Sequence, residues 1–442
     1  MAGYLPHSPE ERKQMLKELG LKHLEELYSH IPEGLLFEGE LKLPEPLSEP
    51  EIVETFKRLA EKNQTLTIFA GGGAYDRYIP AAIDYLVERG EFLTAYTPYQ
   101  PEVSQGTLTA IFEYQTVIAE LTGMDVANAS MYDGASALAE AVLMARAIKN
   151  RGDTVVVSQT VNPLYREVVK TYLYGYRDKI VEIPFNGKGI TDLNLLEDTL
   201  KNNNVHALAV PYVNFFGFVE PLKEIGEIAQ KYGIPFIVVA EPISLTILKP
   251  PSEFGADIVV GEGQPLGIPL SYGGPYLGFF ATRQKYVRKM PGRLVGMAED
   301  IDGKRAFTLV LQTREQHIRR ERATSNICSN QNLMALRALI YIALLGKEGL
   351  KEVAKLSISK ARYLYKNLLK KGWGNPFNNE RFLWEFPIQK EGAAEIRKNL
   401  LREGFLFGID LERFYPELKN TLLVAVTEKR TKREMDRLLN LL

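Results

Sequence analysis

Apolar residues near the start of the chain recur at helical spacing behind two copies of one start signal. Ser8-Pro9-Glu10-Glu11 sets a hydroxyl cap, a first-turn proline and a glutamate three residues on, the makings of a capping box. Met15, Leu16 and Leu19 follow on one face, and Gly20 supplies a stop. Ser48-Glu49-Pro50-Glu51 repeats the signal ahead of Ile52, Val53, Phe56 and Leu59. The stretch between, with Pro32, Pro44 and Pro46, reads as an extended connection. Residues 1–65 are thus expected to form a helical arm.

From Gly106 the rhythm changes. A helix is predicted over 107–121, stopped by Gly123, and Asp133-Gly134 opens an alanine-rich helix to about Asn150. Short apolar runs then alternate with amphipathic ones. Strands are predicted at 154–158, 179–183, 206–210, 235–239 and 256–260, with helices at 163–173, 194–201 and 221–232. Continuous apolar strands in βαβ alternation predict a mostly parallel sheet covered on both faces. Further on, helices are predicted at 332–345, 350–369, 393–402 and 431–442, and strands at 382–387, 405–409 and 421–426. The pattern assigns 66–328 to a large α/β domain and 329–442 to a small C-terminal α+β domain.

Composition narrows the function classes. The 442 residues are 45% hydrophobic and 25% charged, the profile of a soluble globular protein. Lys plus Arg is 54 and Asp plus Glu is 55, a balance that argues against a nucleic-acid binder. The nearest basic stretch, 314–322, has Glu315 and Glu321 inside it. The single cysteine, Cys328, rules out an intramolecular disulfide and a Cys-rich metal site. It fits a reducing cytoplasm. The first residues lack the order of a signal peptide, and no apolar stretch is long enough for a membrane span. His7, His23, His30, His206 and His317 include no i, i+4 pair, so no metal site is expected. No Gly-x-Ser-x-Gly elbow nominates a serine nucleophile.

Several segments carry candidate chemistry. Gly71-Gly72-Gly73 lacks the Lys and Ser/Thr of a phosphate loop and reads as a tight turn or close backbone approach. The 94–106 segment, with Tyr96, Tyr99, Gln100, Ser104 and Gln105 between prolines, reads as a rigid polar loop with a site or interface role. In a doubly wound fold a ligand phosphate sits on a helix N-terminus beyond the strand ends. Here that N-terminus reads Met131-Tyr132-Asp133-Gly134-Ala135-Ser136. Asp133 suits an N-cap but repels a phosphate, so the chain fills the anion hole with its own carboxylate. Residues 261–275 are dense in Gly and Pro, and 250–283 contain no lysine.

Tyr4-Leu5-Pro6-His7-Ser8, Gly73-Ala74-Tyr75-Asp76-Arg77-Tyr78-Ile79-Pro80, the 94–106 loop, Asn128-Ala129-Ser130-Met131-Tyr132-Asp133-Gly134, the 261–275 run and Thr324-Ser325-Asn326-Ile327-Cys328-Ser329-Asn330-Gln331 together resemble one family. It is the first, N-terminal-half subunit of two-subunit glycine decarboxylases, the P-protein of the glycine cleavage system. The resemblance covers essentially the whole chain. It implies the α/β fold of fold type I pyridoxal-phosphate-dependent transferases, with a mostly parallel seven-stranded sheet. It also implies decarboxylation of glycine and transfer of the aminomethyl group to the lipoyl arm of H-protein. Pyridoxal phosphate is expected on a lysine of a second subunit, in an α2β2 heterotetramer.

Within that resemblance the chain reads as the half without the lysine. The imine-forming lysine of this fold belongs after the 256–260 strand, where Gln264 and Pro265 stand. The strand before it ends Val239-Ala240-Glu241, with no aspartate for the pyridinium nitrogen. No catalytic residue and no covalent cofactor site are therefore expected in this chain alone. Its expected work is to complete the partner's site across the subunit interface, through Tyr96, Tyr99 and Gln105 of the polar loop, with Arg77 and Asn326. Arg77 suits a bidentate carboxylate or phosphate contact, with an intrachain salt bridge as the alternative. Two other readings stay open. A binding or regulatory protein of this fold would also carry a degenerate pocket, and a self-sufficient enzyme would need the missing lysine.

Overall fold

The computed structural model describes residues 7–37, 39 and 41–442. Tyr4, Leu5 and Pro6 of the first matching motif lie outside the described residues. The chain forms two compact units that divide after Gln64.

The first unit holds α1 (Pro9–Glu18) and α2 (Glu49–Ala60), with short helical turns at Leu24–Tyr28 and Glu33–Leu35 between them. The two start signals work as their sequences suggest. Glu11 Oε2 accepts the Ser8 amide at 2.7 Å, and Glu51 Oε2 accepts the Ser48 amide at 2.7 Å. Neither helix buries a residue. Ile52, Val53, Phe56 and Leu59 leave α2 with an exposed apolar stripe.

The second unit opens on β1 (Thr67–Phe69), two short helices, α3 (Ala82–Val87) and α4 (Gly90–Leu93), and the long α5 (Gln105–Thr122). The chain continues through β2 (Val126–Ala127), α6 (Gly134–Lys149), β3 (Thr154–Ser158), α7 (Pro163–Leu173), β4 (Lys179–Ile183) and α8 (Leu193–Asn202). Then come β5 (Val205–Pro211), α9 (Leu222–Tyr232), β6 (Phe236–Ala240), β7 (Ile258–Glu262) and β8 (Gly278–Thr282). These strands form one seven-stranded sheet in the order β2-β8-β7-β6-β5-β3-β4. Only β8 is reversed, running antiparallel to both of its neighbours, β2 and β7.

Both faces of this sheet are covered. Val156, Leu208, Val210 and Val238 pack into one core cluster with α5, α8 and α9, while Val155, Val157, Ala207, Ala209 and Ile237 pack into another with α6 and α7. Successive side chains of a strand point to opposite faces, so a strand buried on both is apolar at every position. That is the physical origin of the unbroken apolar runs. The patterning does not predict β8, because the Gly and Pro density before it reads as irregular backbone.

Nor does it predict the hairpin of β9 (Leu294–Glu299) and β10 (Arg305–Val310) that follows. After the short α10 (Gln316–Arg319) comes α11 (Asn332–Lys370), broken at Gly346, which sits at φ 61° and ψ −177°. The helices expected at 332–345 and 350–369 thus meet end to end. The C-terminal part contains β11 (Glu385–Gln389), α12 (Ala393–Arg402), β12 (Phe405–Phe407), β13 (Ile409–Asp410), β14 (Thr421–Ala425) and α13 (Lys432–Leu441). Gly408, at φ 68°, splits the strand expected at 405–409. Its first half pairs in parallel with β1, and its second half joins the antiparallel sheet β11-β14-β13. No helix among the described residues is long and apolar enough to cross a membrane.

Candidate functional site

The carboxyl ends of β5, β6 and β7 open onto a cavity of about 70 Å³, lined by residues that include Gly73, Tyr75, Asn162, Glu241, Glu262 and Glu385. Three carboxylates face a space fit for a few waters. Glu262 closes the top of the sheet. Its Oε2 accepts the Gly134 amide at the N-terminus of α6 at 2.9 Å, and its Oε1 accepts the Gln264 and Leu277 amides at 2.9 Å each. Asp133 caps the same helix by accepting the Ser136 amide at 2.7 Å. Two carboxylates of the chain therefore occupy the anion hole.

Gln264, in the position of the missing lysine, is only 1% exposed. Its side chain accepts the Tyr75 amide at 2.8 Å and donates to the Tyr75 and Ile268 carbonyls at 3.0 and 2.7 Å. The Gly71 to Gly73 turn is a close approach, as its sequence suggests. A Cβ on Gly71 would lie 2.6 Å from Glu385 Oε1, and the Gly72 amide donates to that oxygen at 2.7 Å. Tyr75 donates its hydroxyl to the other Glu385 oxygen at 2.8 Å.

Burial pushes Glu262, Glu241 and Glu385 each up to about 7. Backbone amides pull Glu262 back down, as Arg77 does for Glu241. The same burial pushes the Tyr75 hydroxyl well above its ordinary value. Pyridoxal phosphate does not fit this pocket. Cofactor-sized sites enclose roughly 300–1,000 Å³, the phosphate position holds Glu262, and no lysine is available. Among the described residues no group of three or more His, Cys, Asp or Glu is placed to hold a metal ion.

A second arrangement lies on the loops. Arg293, 3% exposed, reaches into the 94–106 segment. It donates to Thr97 Oγ1 at 3.0 Å and to the Tyr99 hydroxyl at 2.7 Å, while its Nε pairs with Glu315 at 3.2 Å. Tyr96 shares a hydrogen bond of 2.6 Å with Ser329 Oγ. The Gln331 amide donates to Ser130 Oγ at 3.0 Å, and the Cys328 amide to the Tyr132 hydroxyl at 3.3 Å. Three of the sequence motifs, 94–106, 128–134 and 324–331, thus meet around a cavity of about 170 Å³ lined by Tyr96, Thr97, Arg293, Ser329 and Asn330 among others. Beneath the last motif, Ser325 donates to Glu140 at 2.7 Å, and burial pushes Glu140 up to about 7.

The five residues singled out from sequence fare differently. Tyr96 is 76% exposed and Tyr99 44%, and Asn326 is exposed in the 324–331 motif. Gln105 is turned to its own backbone. Its amide accepts the Phe307 N–H at 2.8 Å and donates to the Phe307 and Pro101 carbonyls at 2.9 and 2.7 Å. Both ends of that side-chain amide are used in bracing the loop within this chain. Arg77 takes the intrachain alternative. It is 4% exposed, meets Glu428 at 2.7 Å, Ser357 at 3.2 Å and Glu241 at 3.8 Å, and lies over the Trp384 ring at 4.8 Å. The guanidinium is thus paired within the chain through Nη1, while its Nε and Nη2 have no hydrogen-bond partner among the described residues.

Sequence reasoning missed Arg293 and Glu262. Arg293 is one arginine after a Pro-Gly turn, and nothing local marks it. Glu262 had a signal: a carboxylate between two glycines at the end of an apolar strand.

Comparison with known proteins gives a concordant set. Residues 2–442 match the family model described as glycine cleavage system P-protein. The chain is 66% identical over 439 residues to a probable glycine dehydrogenase (decarboxylating) subunit 1 of Aquifex aeolicus, covering 99% of this chain and 100% of that protein. It is similar to a crystal structure of glycine decarboxylase (P-protein) of the glycine cleavage system in inhibitor-bound form, with TM-score 0.89 and 44% identity over 99% of both chains. A cysteine desulfurase from Thermococcus onnurineus, at TM-score 0.64 and 16% identity, covers 89% of this chain and 97% of its own and shares the fold alone. That fold is the one of fold type I pyridoxal-phosphate enzymes.

Proposed function

The chain belongs to the glycine cleavage system P-protein family, and from that premise we propose that it is the subunit without the lysine in a two-subunit glycine decarboxylase. With its partner it decarboxylates glycine, releases CO2 and passes the aminomethyl group to the lipoyl arm of H-protein. The partner holds the pyridoxal phosphate, which supplies the electron sink for the bond cleavage. The assembly is an α2β2 heterotetramer in the cytoplasm. The observation that carries this division of labour is Glu262, whose carboxylate takes the Gly134, Gln264 and Leu277 amides where a cofactor phosphate would otherwise lie.

This chain contributes a surface rather than a reacting group. Arg293 fixes the Tyr99 hydroxyl, and Ser329 fixes that of Tyr96. Two held hydroxyls at the edge of a loop cavity are preorganised to accept or donate a hydrogen bond without first losing freedom. Together with Asn326 they complete the partner's site, orienting glycine or the lipoyl arm and keeping water from it.

The test is glycine–bicarbonate carbon exchange with lipoylated H-protein and pyridoxal phosphate, run on this chain, on the lysine-bearing subunit and on the mixture. Borohydride reduction marks the subunit that holds the cofactor. Activity confined to the mixture, with the mark on the partner alone, is the expected result. Activity or mark on this chain alone would overturn the assignment. A partner as active alone as in the mixture would leave this chain a binding protein.

A further inference from the structure

Residues 314–324 form a closed loop beside the two tyrosines. The Thr324 amide donates to the Arg314 carbonyl at 3.0 Å and shuts its base. Arg314 and Glu315 are buried at that base. The first donates to the Gly292 carbonyl at 3.0 Å, and the second pairs with Arg293 at 3.2 Å. His317 packs edge-on against the Tyr99 ring at 5.1 Å and ties the loop to the polar segment.

Beyond that anchored base, every residue from Gln316 to Arg322 is exposed. Arg319 and Arg320 have no side-chain hydrogen bond or ion pair among the described residues. Among the described residues Arg322 has only the equally exposed Glu321, at 3.7 Å. Glu315, the other acid of the loop, is already spent on Arg293. Ile318, 49% exposed, lies among these arginines, and the half-exposed Tyr99 of the polar loop packs against His317. Arg320 sits at φ 53° and ψ −123°, a backbone region that strains a side-chain-bearing residue. No hydrogen bond or ion pair of the Arg320 side chain among the described residues offsets that strain.

We propose that the Arg319–Arg320–Arg322 loop tip, with Ile318, is the docking patch for an acidic protein surface, that of the carrier which brings the lipoyl arm to the completed site. The inference rests on the function proposed above. Exposed guanidiniums next to an aliphatic and an aromatic side chain are the composition of a protein interface. A nucleic acid would call for a basic stripe, whereas here three arginines stand on a chain of net charge −1. The rigid base matters as much as the charge. It holds the patch in register with Tyr99, so a carrier docked on it delivers its arm to one place.

The experiment uses the two-subunit complex with pyridoxal phosphate and lipoylated H-protein. In a variant carrying Arg319→Glu, Arg320→Glu and Arg322→Glu, the KM for H-protein should rise by roughly tenfold or more at low salt. Its steep dependence on ionic strength should flatten, with kcat at saturating H-protein and the KM for glycine held within about twofold. The triple Arg→Lys variant keeps the charge and should stay near the wild type. A second variant, Arg320→Gly, removes one guanidinium and relieves the backbone. It should raise the Tm of this chain and still raise the KM for H-protein. An unchanged KM for H-protein overturns the proposal, and so does a fall in kcat at unchanged KM. Loss of the partner subunit from the charge-reversed complex overturns it too, since the loop would then be a subunit contact. Loss of H-protein dependence to competing nucleic acid would assign the patch to the other class of partner. A wild-type complex that fails to turn over glycine sinks the proposed function instead.

Discussion

The Glu262 carboxylate lies 2.9 Å from the Gly134 amide, so the helix start that follows β2 is met by an anion from β7, the next strand but one in the sheet. A covalent part of the chain does here what a bound phosphate does elsewhere in such folds. The geometry is paired with tight space, since a Cβ on Gly134 would lie 2.5 Å from the Tyr165 hydroxyl.

Removing that carboxylate should be costly. Glu262→Ala leaves three buried amides, on Gly134, Gln264 and Leu277, without an acceptor. Each such loss costs about 1–3 kcal/mol, so urea unfolding should show a stability loss of about 3 kcal/mol or more. Glu262→Gln keeps one oxygen and should fall between. A loss under about 1 kcal/mol for the alanine variant would mean that the amides have other partners.

The buried acids set a pH dependence with a definite sign. Glu140, Glu241, Glu262 and Glu385 are each raised to about 7 from an ordinary value of 4.5, by burial above all. Between those values the folded chain binds more protons than the unfolded one, so stability falls as pH rises from about 4.5 to about 7. His206 works the other way below 6.5, because burial lowers it. The urea midpoint should decline over the upper part of the window, and Glu140→Gln should make the decline shallower. A midpoint that climbs from pH 6 to 7.5 would contradict the sign.

Gln105 and Arg77 should behave as structural residues. Gln105→Ala frees the Phe307 amide and carbonyl and should destabilise the chain by about 1–3 kcal/mol. Arg77→Ala leaves Glu428 and Glu241 without their cation in a buried place and should cost about 3–5 kcal/mol. In complexes that still assemble, the KM for glycine should stay within about twofold of the wild type. A KM for glycine raised tenfold by either change, at intact stability, would return that residue to the site.

The tyrosines should show the opposite split. Tyr96→Ala and Tyr99→Ala remove exposed or half-exposed side chains, and the chain should lose no more than about 1 kcal/mol. Exchange activity of the complex should fall by at least tenfold, with subunit assembly intact by gel filtration. Arg293→Ala should lower both stability and activity, because it strands Glu315 as well as freeing Tyr99. Unchanged turnover in both tyrosine variants removes the completion role.

Much of the fold could be read from the chain because its signals are local. The helix at Pro163–Leu173 and the strand at Lys179–Ile183 have the bounds expected of them, since a proline, a cap and an apolar run are each decided within a few residues. The hairpin of β9 and β10 was not legible. Strand β10 alternates half-buried with buried positions from Ala306 and β9 half-buried with exposed ones from Gly296, yet β9 carries the small residues Gly296 and Ala298 and is read as loop. The candidate site divides the same way. The 94–106 and 324–331 segments announced themselves by density of hydroxyls and amides. Arg293, which joins them, is one cation whose partners come from residues far along the chain, and such long-range pairing leaves no local trace. Gln105 looked like a ligand-facing amide for the converse reason, because the backbone that consumes it belongs to a hairpin that the patterning did not show.

Strand β1 pairs residue for residue with β12, Thr67 with Phe405 and Phe69 with Phe407. A ribosome releases the chain from its N-terminus. The seven-stranded sheet has all its strands once Thr282 has emerged, while Thr67–Phe69 waits as a bare edge until residues 405–407 exist. Closing so long a loop is slow compared with forming the neighbouring βαβ contacts, and an unpaired edge is open to misdirected pairing in the meantime. A nascent chain cut short anywhere before Phe405 therefore carries its defect at the start of the unit as well as at its end. The pairing works as a check, made at the first strand of the unit, that translation has passed residue 407.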